Sequence, residues 1–185
     1  MTRQRISRVV AAAAAVAVLV FAAVASAGGT SPGDPIDPRT TDPAAEVFLT
    51  VDASGFQKYA CQPNGTWLFT DPVATLFKQN GAPQVIGNHF LNFATGNPVW
   101  QLKDGSSVEP ARAASASGGA GNIPLVLLKT VVASAGADGD RLAQTTWVQR
   151  LNTSGGVAPA GSCTPGDHAA VPYTADYVFW RTAGA

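Results

Sequence analysis

Histidine, the side chain best suited to proton transfer near neutral pH, occurs twice, as His89 and His168. His89 lies in Ile86-Gly87-Asn88-His89-Phe90, beside a glycine that admits close backbone approach. There it can contact a ligand, act as an acid or base, or simply bond a carbonyl as a half-buried imidazole. His168, in Gly166-Asp167-His168, reads as a solvated loop residue. The two are far apart and form no H-x-H or H-x-x-x-H pair, so no metal site is expected. No serine falls in a G-x-S-x-G frame. Glycoside hydrolysis wants two facing carboxylates, yet Glu46 and Glu109 are the only glutamates and the aspartates cluster in turns. Asp104 and Asp176 are the aspartates to weigh as partners of His89.

Trp67, Trp100, Trp147 and Trp180 all fall in strand-like runs. An indole face can stack on a sugar ring, but three of the four are better read as core packing. Trp100 differs because polar turns, Gly96-Asn97-Pro98 and Asp104-Gly105-Ser106, flank its strand. The candidate ligand site is therefore His89, Trp100 and Asp104, with stacking from Trp100 and polar contacts from the other two. No pattern calls for a cofactor.

Positioning these residues falls to a β-protein. Runs rich in Val, Thr, Phe, Tyr and Trp alternate with Gly, Asn, Asp and Pro clusters. Pro63-Asn64-Gly65 separates Phe56–Gln62 from Thr66–Thr70, and Asn80-Gly81 separates Val73–Lys78 from Gln84–Phe93. Asp104-Gly105 joins Val99–Leu102 to Ser107–Ala113. Ile123–Ala133 is apolar on both faces, as a strand covered on both sides would be. Asp138-Gly139-Asp140 turns into Leu142–Leu151. In the last strand, Val171–Arg181, the residues Tyr173, Ala175, Tyr177 and Phe179 share one face at period two. The expected fold is all-β, a single-domain antiparallel sandwich or barrel of about nine or ten strands.

The N-terminus reads as a secretory signal. Arg3, Arg5 and Arg8 precede an apolar run from Val9 to Val24, which ends in Ala25-Ser26-Ala27. Cleavage after Ala27 is expected, with a retained anchor as the rival, since Val9 to Ala27 is just long enough to span a bilayer. Residues 28–45, with four prolines and three glycines, read as a disordered lead-in, and 46–182 as the β domain. The expected location is extracellular, or periplasmic in a host with an outer membrane. The whole chain has 12 basic and 12 acidic residues, so losing three arginines leaves nine against twelve and a net charge of −3. Nothing here favours nucleic acid or an anionic membrane surface. Cys61 and Cys163 both fall in the exported part; there a disulfide is expected, with two free thiols as the alternative. No C-x-x-C suggests redox catalysis.

Several segments carry a resemblance. They are Tyr59-Ala60-Cys61, Gly65-Thr66-Trp67, Gly87-Asn88-His89-Phe90, Pro98-Val99-Trp100, Asp104-Gly105-Ser106, Ile123-Pro124, Gln149-Arg150-Leu151-Asn152-Thr153-Ser154-Gly155-Gly156, and Val171-Pro172-Tyr173-Thr174-Ala175-Asp176-Tyr177. In order and spacing, over nearly the whole mature domain, the chain resembles a secreted domain-of-unknown-function family, numbered thirty-four fifty-five, of bacteria and fungi. Leu125 stands where that family usually has a tryptophan, and Trp147 where it usually has an isoleucine. The resemblance implies export and the Cys61–Cys163 pair, and it supplies no activity. Some fungal members carry a dehydrogenase label, but this chain has neither G-x-G-x-x-G after a strand nor βαβ alternation. The expected role is a non-catalytic binding module for an extracellular glycan or small ligand. The rivals are a hydrolase using His89 with Asp104 or Asp176, and a structural envelope or surface protein.

Overall fold

A computed structural model describes residues 34–184. The expected signal peptide, 1–27, and the start of the lead-in, 28–33, lie outside the described residues. Eight strands follow one another around a closed barrel: β1 Ala45–Cys61, β2 Trp67–Lys78, β3 Val85–Asn92, β4 Asn97–Leu102, β5 Ser107–Ala116, β6 Leu125–Ser134, β7 Trp147–Gly155 and β8 His168–Thr182. Every neighbouring pair is antiparallel, and β8 returns to pair with β1 along nearly its whole length. Closure removes both sheet edges, which settles barrel against sandwich.

The count is eight rather than nine or ten, because Thr66–Thr70 and Val73–Lys78 form one strand, β2, and the run starting at Phe56 extends back to Ala45 as β1. β1 runs through Gly55, where a Cβ would stand 2.0 Å from the Val73 carbonyl oxygen; only glycine lets β1 and β2 approach so closely there. β2 absorbs Asp71-Pro72 through a bulge at Thr70, since Tyr59 pairs with Phe69 and Lys58 with Asp71. The expected strand Leu142–Leu151 also starts later, at Trp147. Leu142 belongs instead to the preceding turn and is fully buried.

Alternation sorts the side chains. Val51, Ala53, Leu76, Trp100, Leu102, Val108, Val126, Leu128, Val148, Tyr177 and Phe179 fill the interior. A second cluster lies outside the barrel, where Leu127, Trp147, Leu151, Val178 and Trp180 point outward from β6, β7 and β8. The lead-in covers them, which corrects the expectation of a disordered stretch from residue 34 onward. Ile36 is fully buried in this cluster, a burial that contributes about 1.5–3 kcal/mol. Its carbonyl accepts a hydrogen bond from Gln149 Nε2 at 2.6 Å. Asp37 caps a short 3-10 turn, Pro38–Thr40, and pairs with Arg39, whose guanidinium lies 5.5 Å from the centroid of the Trp180 ring. Because of this strap, β6 is buried on both faces over Val126–Leu128, whereas farther along Val131 and Val132 are exposed.

The two ends of the barrel differ. At one end, the turn between β4 and β5 meets the loop between β6 and β7, and Leu142 plugs the interior. At the other, the β1–β2, β3–β4, β5–β6 and β7–β8 connections surround an open mouth. Cys61 and Cys163 are bridged there with a Cα–Cα distance of 5.8 Å, tying the end of β1 to the β7–β8 loop.

Candidate functional site

Eight strands close a barrel whose interior is filled by side chains or holds one small ligand. Here both occur, at different depths. A cavity of about 560 Å³ occupies the open half, a size suited to a small-molecule ligand.

Its floor is aromatic. His89 on β3 and Trp100 on β4 are directly opposed in the strand register, and their rings stack at 4.1 Å with 11° between planes. Tyr177 on β8 meets both edge-on, at 5.2 Å from His89 and 4.9 Å from Trp100. Ala74, opposite His89 on β2, is small enough to leave the imidazole room. Strand alternation aims all three rings inward. Gln57, Ile123, Val126 and Leu128 form walls, while Pro72, Pro98, Asn97, Arg112 and Arg150 stand toward the mouth.

His89 is 3 % exposed. Its Nδ1 lies 2.9 Å from the Val99 carbonyl; a carbonyl only accepts, so Nδ1 carries the proton. Burial drives its pKa down to about 3, against the opposing pull of the Val99 carbonyl, so the ring is neutral at physiological pH. Burial likewise raises the Tyr173 and Tyr177 hydroxyls, which lie 3.3 Å apart. The indole of Trp100 is 2 % exposed, and its Nε1 is a buried donor with no partner among the described residues. Gln57 Nε2 is also buried with no partner at hydrogen-bonding distance, although its amide neighbours the Tyr173 hydroxyl.

Of the three candidate residues, the structure brings His89 and Trp100 together and leaves Asp104 at the far end of the barrel. Asp104 sits in the β4–β5 turn, where its Oδ1 accepts from Ser106 N at 2.9 Å and Ser106 Oγ at 2.6 Å, and its Oδ2 from Arg141 N at 3.3 Å. Against a desolvation that would raise its pKa, these bonds hold the carboxyl below its ordinary value. Ser106 Oγ in turn accepts from Leu142 N at 3.2 Å, so Asp104 anchors the plug. Asp176 faces outward and accepts from Asn152 Nδ2 at 2.7 Å; burial raises its pKa. Neither aspartate contacts His89, and no described His, Cys, Asp or Glu cluster has metal-holding geometry.

Tyr177, placed by the sequence only on one face of the last strand with Tyr173, Ala175 and Phe179, forms a third of the floor. Arg112 and Arg150 were not foreseen as site residues. Parity offered a hint for Arg150, two residues beyond the inward Val148 on β7. Register shifts on both sides of Arg112 hide its parity from the sequence.

A family model described as protein of unknown function (DUF3455) matches residues 43–181. The chain belongs to that family. No curated protein and no solved structure matches it.

Proposed function

We propose that this DUF3455 barrel is an exported binding protein that admits one small, ring-bearing ligand through the open end of its lumen. The observation that carries the reading is the cavity of about 560 Å³ floored by the His89–Trp100–Tyr177 ring cluster. Asn97 toward its mouth supplies a polar contact, and the stacked and edge-on rings of the floor offer faces and edges to another ring. A small ligand suits the site better than a long glycan, because Trp100 already has His89 against its face and is buried inside the barrel. Binding suits it better than hydrolysis, because His89 is held neutral and bonded to a backbone carbonyl, with neither Asp104 nor Asp176 beside it.

Export rests on the Arg3, Arg5, Arg8 and Ala25-Ser26-Ala27 pattern. The Cys61–Cys163 bridge supports it, since disulfides persist in oxidising compartments. Intact mass of protein from the culture medium should begin at Gly28; a full-length chain retained in the membrane would refute the export.

Titration with a neutral fluorescent dye, N-phenylnaphthylamine, tests the lumen. One-to-one binding is expected, together with its loss in Val126→Trp, which fills the cavity from β6. Dye binding that ignores Val126→Trp would place the site elsewhere.

A further inference from the structure

The cavity lining carries two guanidinium groups, from Arg112 on β5 and Arg150 on β7, and no carboxylate. That is against the grain of the chain, whose mature net charge is −3. Elsewhere, Arg39, Lys58 and Arg181 each have an acid within salt-bridge distance, Asp37, Asp71 and Glu46 respectively. Among the described residues neither Arg112 nor Arg150 forms an ion pair. Arg150 is nevertheless held in place: its Nε and one Nη donate to the Pro124 carbonyl at 3.0 and 2.8 Å. One edge of the fork is thereby fixed, and the group stays close enough to exert its field on Tyr59, His89, Tyr173 and Tyr177. The two arginines flank β6, since Arg112 pairs with Leu128 and Arg150 with Val126. Leu128 and Val126 are two residues apart along β6, so the arginine backbones stand about 12 Å apart, two strand spacings across and two rises along, a gap that two long side chains can close over one anion. His89, being neutral, adds no charge. Beneath them lies the aromatic floor of His89, Trp100 and Tyr177.

From this we infer that the ligand is a small anionic ring compound, an aromatic or alicyclic carboxylate or its sulfonate equivalent. Its acid group sits between Arg112 and Arg150, and its ring lies toward His89, Trp100 and Tyr177. Planar guanidinium groups match a carboxylate through paired charge-assisted hydrogen bonds. A half-closed, largely apolar lumen strengthens that attraction over its value in open water. The inference rests on the lumen-binding reading and adds the charge of the ligand to it.

Two dyes that differ only in charge separate the claims. Anilinonaphthalene sulfonate is N-phenylnaphthylamine with an added sulfonate. The wild-type protein should bind the sulfonate at least about tenfold more tightly, as charge-assisted contacts imply, and should lose that preference as salt rises. Arg112→Gln should weaken the sulfonate about tenfold and leave the neutral dye unchanged. Arg150→Gln should do the same; because Arg150 also ties down Pro124, its melting curve and disulfide are checked alongside. If that variant unfolds, Arg112→Glu carries the test, since Arg112 is exposed and forms no ion pair among the described residues. Equal affinities for the two dyes, indifferent to Arg112, would overturn the inference and leave lumen binding standing. Binding of neither dye, or binding untouched by Val126→Trp, would overturn the lumen reading and the inference together.

Discussion

The two halves of the barrel interior are built from the same alternating strands and end up in opposite states. Toward the closed end, Val51, Leu76, Leu102, Val108, Val148 and Phe179 pack around Leu142, which the Asp104–Ser106 clamp holds in the opening. Toward the open end, the inward positions of the same strands carry Gln57, His89, Arg112, Arg150 and Tyr177, and a cavity remains. Aliphatic side chains interdigitate and expel water. The rings, amide and guanidinium groups at the other positions leave a cavity instead. Stability is concentrated at one end and recognition at the other, with the stacked His89–Trp100 pair as the boundary.

The largest test of this division is a pair of truncations. Phe179→Ala, in the packed half, should cost about 3–5 kcal/mol, the usual range for a buried aromatic. Leu128→Ala, on the cavity wall, should cost about 2 kcal/mol, near the bottom of the range for leucine, because one side already faces open space. Urea denaturation measures both, and equal losses would erase the distinction between the halves.

The open end lacks a packed interior, and there the Cys61–Cys163 bridge, closing a sequence separation of 102, takes over part of the restraint. Cys61→Ser with Cys163→Ser should lose about 2–4 kcal/mol, seen as a melting point lower by several degrees. Hydrogen exchange should quicken at 62–66 and 156–167 while 103–106 keeps its protection. Faster exchange at the closed end instead would show that the bridge serves the whole barrel equally.

His89 at the boundary gives a pH signature. The native imidazole resists protonation down to about pH 3, whereas the unfolded one takes a proton near its ordinary value of about 6.5. Below that value the unfolded state binds a proton that the native state refuses. The stabilising effect is therefore complete above about pH 6.5 and declines as pH falls toward 3. Between pH 6 and 5, mostly above the carboxylate range, stability should fall by about 1 kcal/mol. His89→Asn should flatten that slope, and an unchanged slope would mean the imidazole is not buried neutral.

The smallest effect belongs to Asp104. Asp104→Asn weakens the clamp on the plug and should cost about 1 kcal/mol, while dye affinity in the lumen stays the same. A change in affinity would reconnect the two ends and restore Asp104 to the ligand site.

Much of this was legible beforehand. The Asn-Gly and Asp-Gly turns delimit real hairpins, the Tyr173–Phe179 face is the inward one, and the cysteine pair is bridged. Runs that seem to start afresh at Phe56 and Val73 continue strands through Gly55 and Asp71-Pro72, because glycine and proline punctuate turns and bulges alike. Ile36 was misleading because one isoleucine among prolines has no visible partner in the sequence; its partners, Trp147 and Trp180, lie more than a hundred residues away.

Alternation and turn chemistry are local, so the sequence by itself determined that the chain forms antiparallel strands and which faces of the best of them turn inward. Closure depends on β8 meeting β1, a pairing of Ala45 with Thr182 and of Ala60 with His168 that no local signal encodes. That closure is what brings Tyr177 of β8 onto the His89–Trp100 pair, which the β3–β4 pairing already sets face to face. Residues close in sequence, such as Trp100 and Asp104, can take different roles because a strand rises about 3.3 Å per residue, which puts one in the lumen floor and the other in the closed-end turn. Residues distant in sequence meet because the sheet curls back on itself.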